Sequence, residues 1–409
     1  MPEATPPAAR RLADALLVFT AASIPLSTTG MEVGVVALAA LGVAAVLRGW
    51  AVVRATPLDG VLFVFFATLA LSTLASAHPL EAVGWGRLWV VLAYFVVFWW
   101  LRDTTHAARL ARVVVVAGMV AAVYGIVQHF TGIDWYRALL GRPTFVRARE
   151  AGTTGFAVVG FFRNYLTFAH TMIFPLAWGT AGALGGGVLG IAAAPLIVVA
   201  IVFSTARGAW LAMLGAAGTL AVLARGGRAA VTVAALAGAA CVAFAMTPDL
   251  RAEAAQMFTR GPANAGRLGI YAANLDVIHD HPVFGLGFGR YQRAAAPYYA
   301  THPAADRRSH AHNNFLQIAA EAGLAGLGAF GLLYATVLRR GWEAVRRAAD
   351  TETWGAAAGA YAGMLGFLVG GLTQYTFGDA EVAIAMWVAL AVLMRCWESG
   401  QAGEGSVRG

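Results

Sequence analysis

Apolar runs long enough to cross a hydrocarbon core, about 18 residues each, recur from one end of this chain to the other. We read about twelve, at 13–29, 31–47, 59–76, 87–101, 113–131, 156–180, 186–204, 208–224, 229–246, 314–338, 355–376 and 380–396. With 59% hydrophobic and 12% charged residues, the composition exceeds what a soluble domain needs. The pattern predicts an all-α polytopic membrane protein of about 12 transmembrane helices. Helices 1–9 are expected over 1–246, helices 10–12 over 314–396, and a short tail over 397–409. The first run has no A-x-A-like cleavage site behind it, so it is expected to be a retained span. Gly355, Gly359 and Gly363, and likewise Gly186 and Gly190, form small-xxx-small stripes that predict close helix contacts. Cys241 and Cys396 lie within or at the end of spans and imply no disulfide framework.

Between the ninth and tenth runs lies a polar segment, 247–313, expected to be a loop domain containing short helices. Residues 249–258 read as one helix. In 265–280, Leu268, Tyr271, Leu275 and Ile278 recur at helical spacing, with Asn264 as a candidate cap and Pro282 as the stop. Arg267, Tyr271 and Asn274 share a face there. That face reads equally as a phosphate or sugar contact and as a solvated surface. Gly285, Gly287 and Gly289 lack the following Lys-Ser/Thr and the βαβ context of a nucleotide loop. They read instead as bends that pack the segment onto the membrane helices, and no nucleic-acid partner is expected.

All 29 basic residues are Arg. The short connections bearing Arg48, Arg54, Arg102, Arg109, Arg112, Arg225, Arg228, Arg339, Arg340, Arg346 and Arg347 are assigned to the cytoplasm by the positive-inside rule, with Arg10 and Arg11. The opposite connections, including an Arg-rich loop at 132–155, then face outward. Several arginines violate the rule. Arg142, Arg147 and Arg163 belong to or abut that loop, and Arg207 sits in the tight turn Ser204-Thr205-Ala206-Arg207-Gly208. Arg163 and Arg207 either snorkel to lipid headgroups or build an anion site on the outer leaflet. Each guanidinium offers a planar fork suited to phosphate.

Five histidines lie in the loop segment: His279, His281, His302, His310 and His312. Their His-x-His spacing splits them between helix faces, and no Cys or carboxylate cluster supports them, so no metal is expected. A neutral His acting as general base fits better. His170, within the 156–180 run, is expected to be a hydrogen-bonded packing residue.

The segment His312-Asn313-Asn314-Phe315-Leu316-Gln317, followed by Glu321-Ala322-Gly323-Leu324-Ala325-Gly326, resembles the signature of the O-antigen ligase and polymerase superfamily. The turn Ser204–Trp210 is similar to the family's Ser-Arg-Gly turn, with the Ser displaced. Arg267 and Asp280-His281-Pro282-Val283-Phe284-Gly285-Leu286-Gly287 resemble its Arg and Asp-x-Pro-x-x-Gly-x-Gly loop. The resemblance spans roughly 160–330. It implies a GT-C-like glycosyltransferase of the bacterial inner membrane with its active site facing the periplasm. The donor would be a glycan on undecaprenyl diphosphate, and the acceptor a sugar hydroxyl of lipid A–core oligosaccharide. In related branches the acceptor is another lipid-linked repeat unit or a protein hydroxyl; a lipid-linked glycan transporter is the rival class. Membrane lipids surround such an enzyme, and neither ATP nor metal is expected.

The family register favours His312 over His310 as the base. Arg207 and Arg267 would stabilise the leaving diphosphate, with Arg142, Arg147 and Arg163 as further contacts. Tyr271, Asn313 and Asn314 would position substrate. The nearest analogue of an Asp-x-Asp metal motif is Asp379-Ala380-Glu381.

Overall fold

The computed structural model describes residues 5–79, 84–148, 155–224, 228–247, 262–303, 305 and 310–407. The proposed 249–258 helix and Arg149, Arg225, Arg251, Arg260, Arg307 and Arg308 lie outside these residues. What is described is an all-α membrane protein. Its only β-structure among those residues is the two-residue pairing of Arg147–Ala148 with Phe156–Ala157.

Helices occupy every apolar run. We label them α1 Pro7–Leu26, α2 Thr28–Leu47, α3 Asp59–Ala75, α4 Leu92–Trp100, α5 Thr104–Thr131, α6 Trp135–Leu139, α7 Tyr165–Thr171, α8 Ile173–Leu184, α9 Val188–Phe203, α10 Arg207–Leu223 and α11 Arg228–Met246. There follow α12 Pro262–Asp280, the short α13 Tyr291–Ala294 and α14 Ala296–Ala300, then α15 Asn314–Arg347, α16 Thr351–Gly370 and α17 Ala380–Val407. Among the described residues four segments are long and apolar enough to cross a membrane by length and composition: α2, α5, α15 and Ala380–Gln401 of α17. α3, α9 and α10 are apolar but shorter.

Glycine governs how closely the helices pack. A Cβ on Gly359 would meet Trp178, one on Gly363 would meet Phe174, and one on Gly190 would lie 2.3 Å from the Gly179 carbonyl oxygen. Gly359 and Gly363 of α16 and Gly190 of α9 therefore seat α8, while Gly186 lies in the turn before α9 at φ 85°. Gly355 faces open space and takes no part in that contact. α17 forms the centre: its residues from Val382 to Met394 are all buried.

Contacts between helix ends sort into two groups. At one end, Arg102 pairs with Asp14 at 3.0 Å, Arg112 with Glu352 at 3.3 Å, and Thr5 donates to Trp50 O. At the other end, Thr28 donates to Glu381, Thr167 to Asp379, and the 284–288 loop packs on Ser72. The helices thus alternate in direction, as the arginine pattern requires.

Two expectations need correction. The 156–180 run is not one helix. It is a loop to Asn164 and then α7 and α8, so Arg163 is exposed in a loop rather than entering a span. The cause is tertiary: buried Gln128 on α5 accepts from Gly160 N at 2.9 Å and donates to Gly160 O at 3.0 Å. Asn164 then caps α7 through Leu166 N. In α12, Leu268 and Leu275 are 63% and 57% exposed, and the buried stripe is Ile270, Ala273 and Val277. Asn264 lies inside that helix, which starts at Pro262.

Candidate functional site

The residues of interest converge on segment 371–379, which joins α16 to α17. Three elements reach it. From the start of α15, Asn314 N donates to Gly371 O at 2.7 Å. The Asn314 amide donates to Thr376 Oγ1 at 3.0 Å and accepts from Phe377 N at 3.0 Å. Asn313 caps α15 by accepting from Phe315 N and Leu316 N, and its own amide donates to Leu372 O at 2.9 Å. From α12, Tyr271 donates to Leu372 O at 3.1 Å and lies 3.5 Å from His312 O. From the α9–α10 turn, a Cβ on Gly208 would stand 2.3 Å from Thr373 Oγ1. The Asn pair so prominent in the motif therefore spends its polar atoms joining two chain segments, and Asn314 is fully buried.

Two non-glycine residues have positive φ among the described residues: His312 at 50° and Thr205 at 63°. Such a conformation costs about 1–3 kcal/mol and persists only where surroundings impose it, commonly at functional sites. Here it aims two side chains. Thr205 forms the turn that starts α10 at Arg207, with Ser204 Oγ donating to Ile201 O at 2.6 Å and accepting from Ala206 N at 3.2 Å. His312 turns its ring so that Nδ1 lies 2.9 Å from Gln374 Oε1. An amide oxygen only accepts, so this contact favours the tautomer that carries its proton on Nδ1. The His310 ring lies edge-on to that of His312, centroids 4.3 Å apart.

Arg267 comes to this cluster from α12. Burial, and then the positive charge of Arg207, pull its pKa below the ordinary guanidinium value, while Tyr271 and Tyr165 act in the opposite sense. Two guanidiniums brought within mutual influence, half-shielded from water, favour an anion between them. Tyr271, on the same face of α12, has its phenol pushed upward by burial. The third member of that face, Asn274, is withdrawn from any ligand. It donates to Ile270 O and accepts from Tyr291 OH, which is itself 2.5 Å from Tyr299 OH.

The structure does not bring every expected arginine inward. Arg142 and Arg147 are exposed on the 132–148 loop. Arg137 is buried there instead, paired with Asp134 at 3.0 Å. Exposed His279 lies 3.1 Å from Asp280, and His302 lies 2.7 Å from Asp276. Among the described residues no three His, Cys, Asp or Glu side chains converge as a metal site.

Behind the cluster, α15 breaks. Gly323 has φ 67° and ψ −170°, which frees the carbonyls of the preceding turn. The glycine loop claims them: Leu286 N donates to Ala320 O and Gly287 N to Glu321 O, both at 2.9 Å. Leu324 N and Ala325 N in turn donate to Pro282 O and Val283 O. The Ser72 hydroxyl lies 2.8 Å from Glu321 O and accepts from Phe288 N at 3.1 Å. So the Gly-x-Gly and Glu-x-Gly-x-x-Gly motifs are two halves of one joint, and the glycines serve as bends rather than as a phosphate loop. The buried Glu321 side chain accepts from Gly289 N at 3.2 Å.

Motif reading passed over Gln374 and Thr376. Their signal was polarity at the end of an apolar run, as in Thr373-Gln374-Tyr375-Thr376.

Residues 192–331, a minority of the chain, match the O-antigen ligase family. The match contains the Arg207 turn, α12, the glycine loop and the opening of α15. No protein of curated function matches the chain. Over residues 192–331 the chain is similar to the O-antigen ligase family, and its apolar helices are those of a multi-pass membrane protein.

Proposed function

We infer that the chain is an O-antigen ligase of the bacterial inner membrane. It transfers a glycan from undecaprenyl diphosphate to a sugar hydroxyl of lipid A–core on the periplasmic face. The observation that carries this reading is that Tyr271, one turn after Arg267 on α12, reaches the carbonyl of His312, whose Nδ1 meets Gln374, while Arg207 acts electrostatically on Arg267.

The chemistry follows from that arrangement. The acceptor hydroxyl attacks the anomeric carbon of the donor sugar. Its proton passes to Nε2 of His312, and the bond to the diphosphate oxygen breaks. The leaving diphosphate gains charge in that step, and the two guanidiniums stabilise it where it forms. Attack from the face opposite the leaving group inverts the anomeric centre. Fixed arginines supply the charge that a divalent ion would otherwise supply, and the activated donor replaces ATP.

Reconstitution tests the reading. Purified chain given undecaprenyl-diphosphate-linked glycan and lipid A–core should yield the joined product without an ion gradient, and should do so in EDTA. Absence of product with every component present rules the ligase out. Inactivation by EDTA reversed by a divalent ion would transfer the role of the arginines to a metal held by Asp379 and Glu381.

A further inference from the structure

A cavity of about 660 Å³ opens beside the catalytic cluster. That volume lies within the roughly 300–1,000 Å³ of small-ligand sites. Neither Arg207 nor Arg267 lines it. It adjoins the base through two of its walls: His310, whose ring abuts that of His312, and Gln374, which holds His312 Nδ1.

Its far wall carries Asp379 and Glu381. Asp379 Oδ2 accepts from Thr167 at 2.6 Å, while Oδ1 is buried with no donor beyond the neighbouring Glu381 carboxyl. Carboxyl groups accept hydrogen bonds from hydroxyls. Arg87, Arg290, Arg293 and the ring of Tyr375 complete a lining of donors, acceptors and an apolar face, which is what a pyranose presents in return. The cavity thus sets three arginines against acidic side chains.

We propose that this cavity is the acceptor subsite. It binds a saccharide through hydroxyls hydrogen-bonded to Asp379 and Glu381 and presents one hydroxyl to the His310–His312 pair. The assignment of "acceptor" rests on the transfer reading above; the saccharide site itself does not.

The test measures binding on the full chain in detergent, with delipidated core oligosaccharide and undecaprenyl diphosphate as separate probes. Asp379→Asn and Glu381→Gln should each weaken the oligosaccharide about tenfold, the value of a lost hydrogen bond, and leave the diphosphate lipid within about twofold. Arg267→Ala should do the reverse. Should Asp379→Asn fail to fold, Glu381→Gln decides alone. Unchanged oligosaccharide binding in the variants, equal loss of both probes, or no oligosaccharide binding by the parent overturns the subsite. If the subsite fails while the parent still transfers glycan, the ligase reading survives. If the parent binds oligosaccharide through these carboxylates yet transfers nothing, the saccharide site survives and the ligase reading falls.

Discussion

His312 holds a backbone conformation that a non-glycine residue rarely adopts, with φ at 50°. The strain is offset by contacts on every side: Asn313 caps the next helix, Tyr271 approaches the His312 carbonyl, and Gln374 takes Nδ1. The outcome is an imidazole held in place with Nδ1 turned to Gln374. His312→Ala should lower the transfer rate by about 100-fold or more while the purified chain keeps its unfolding temperature. Near-normal transfer would falsify the assignment of the base. Arg207 makes a sharper demand, because its role depends on shape as well as charge. Arg207→Lys keeps the charge and loses the planar fork. A loss of about tenfold in kcat, measured at saturating donor, is expected for the missing charge-assisted hydrogen bond. Full activity in Arg207→Lys means that a point charge suffices.

At the scale of elements, the break in α15 is what lets a helix, a loop and α3 meet. A Cβ on Gly323 would stand 2.1 Å from Val283 O, and the residue has φ 67°. Gly323→Ala should therefore cost about 1–3 kcal/mol and lower the unfolding temperature of the purified protein. A variant as stable as the parent would mean that the glycine loop does not brace the helix. This joint also shows what a sequence can reveal. The glycines of 285–289 were legible as bends because a nucleotide loop needs partners that are missing here. Their acceptors, the carbonyls of Ala320 and Glu321, were not legible, because nothing local marks a broken helix 35 residues away. The same holds for the 156–180 run. Its composition is apolar throughout, yet Gln128, 32 residues from Gly160, holds its first part out of the helix. Hydropathy located the helices; it could not locate the 371–379 segment, whose role comes from Asn314, 62 residues from Thr376. Arg207 was singled out because it breaks the charge rule beside a span, and Arg267 and His312 by their places in the family's motifs. Gln374 and Thr376 have no such mark.

Across the whole molecule, the helices alternate so that one end gathers the arginine pairs with Asp14 and Glu352, and the other gathers all the chemistry. That division places a carboxyl where burial works against it. Asp379 sits between Thr167 on α7 and Glu381 on α17, and Thr28 on α2 donates to Glu381. Burial first, and then the adjacent Glu381 carboxyl, raise the Asp379 pKa above the ordinary carboxylate range. Below pH about 4, both the folded and the unfolded chain hold this proton, and the site contributes its full stability. Above that, the unfolded chain releases the proton first. The folded state then binds more protons than the unfolded one, so stability falls as pH rises toward the raised pKa. Asn cannot lose a proton, so Asp379→Asn removes this slope. Unfolding temperatures of the two proteins, recorded side by side from acid to alkaline pH, should diverge in favour of Asp379→Asn as pH rises. Parallel curves would show that Asp379 is charged in the folded protein. The cavity wall would then carry two negative charges, and a neutral saccharide would meet them as ions rather than as a shared proton.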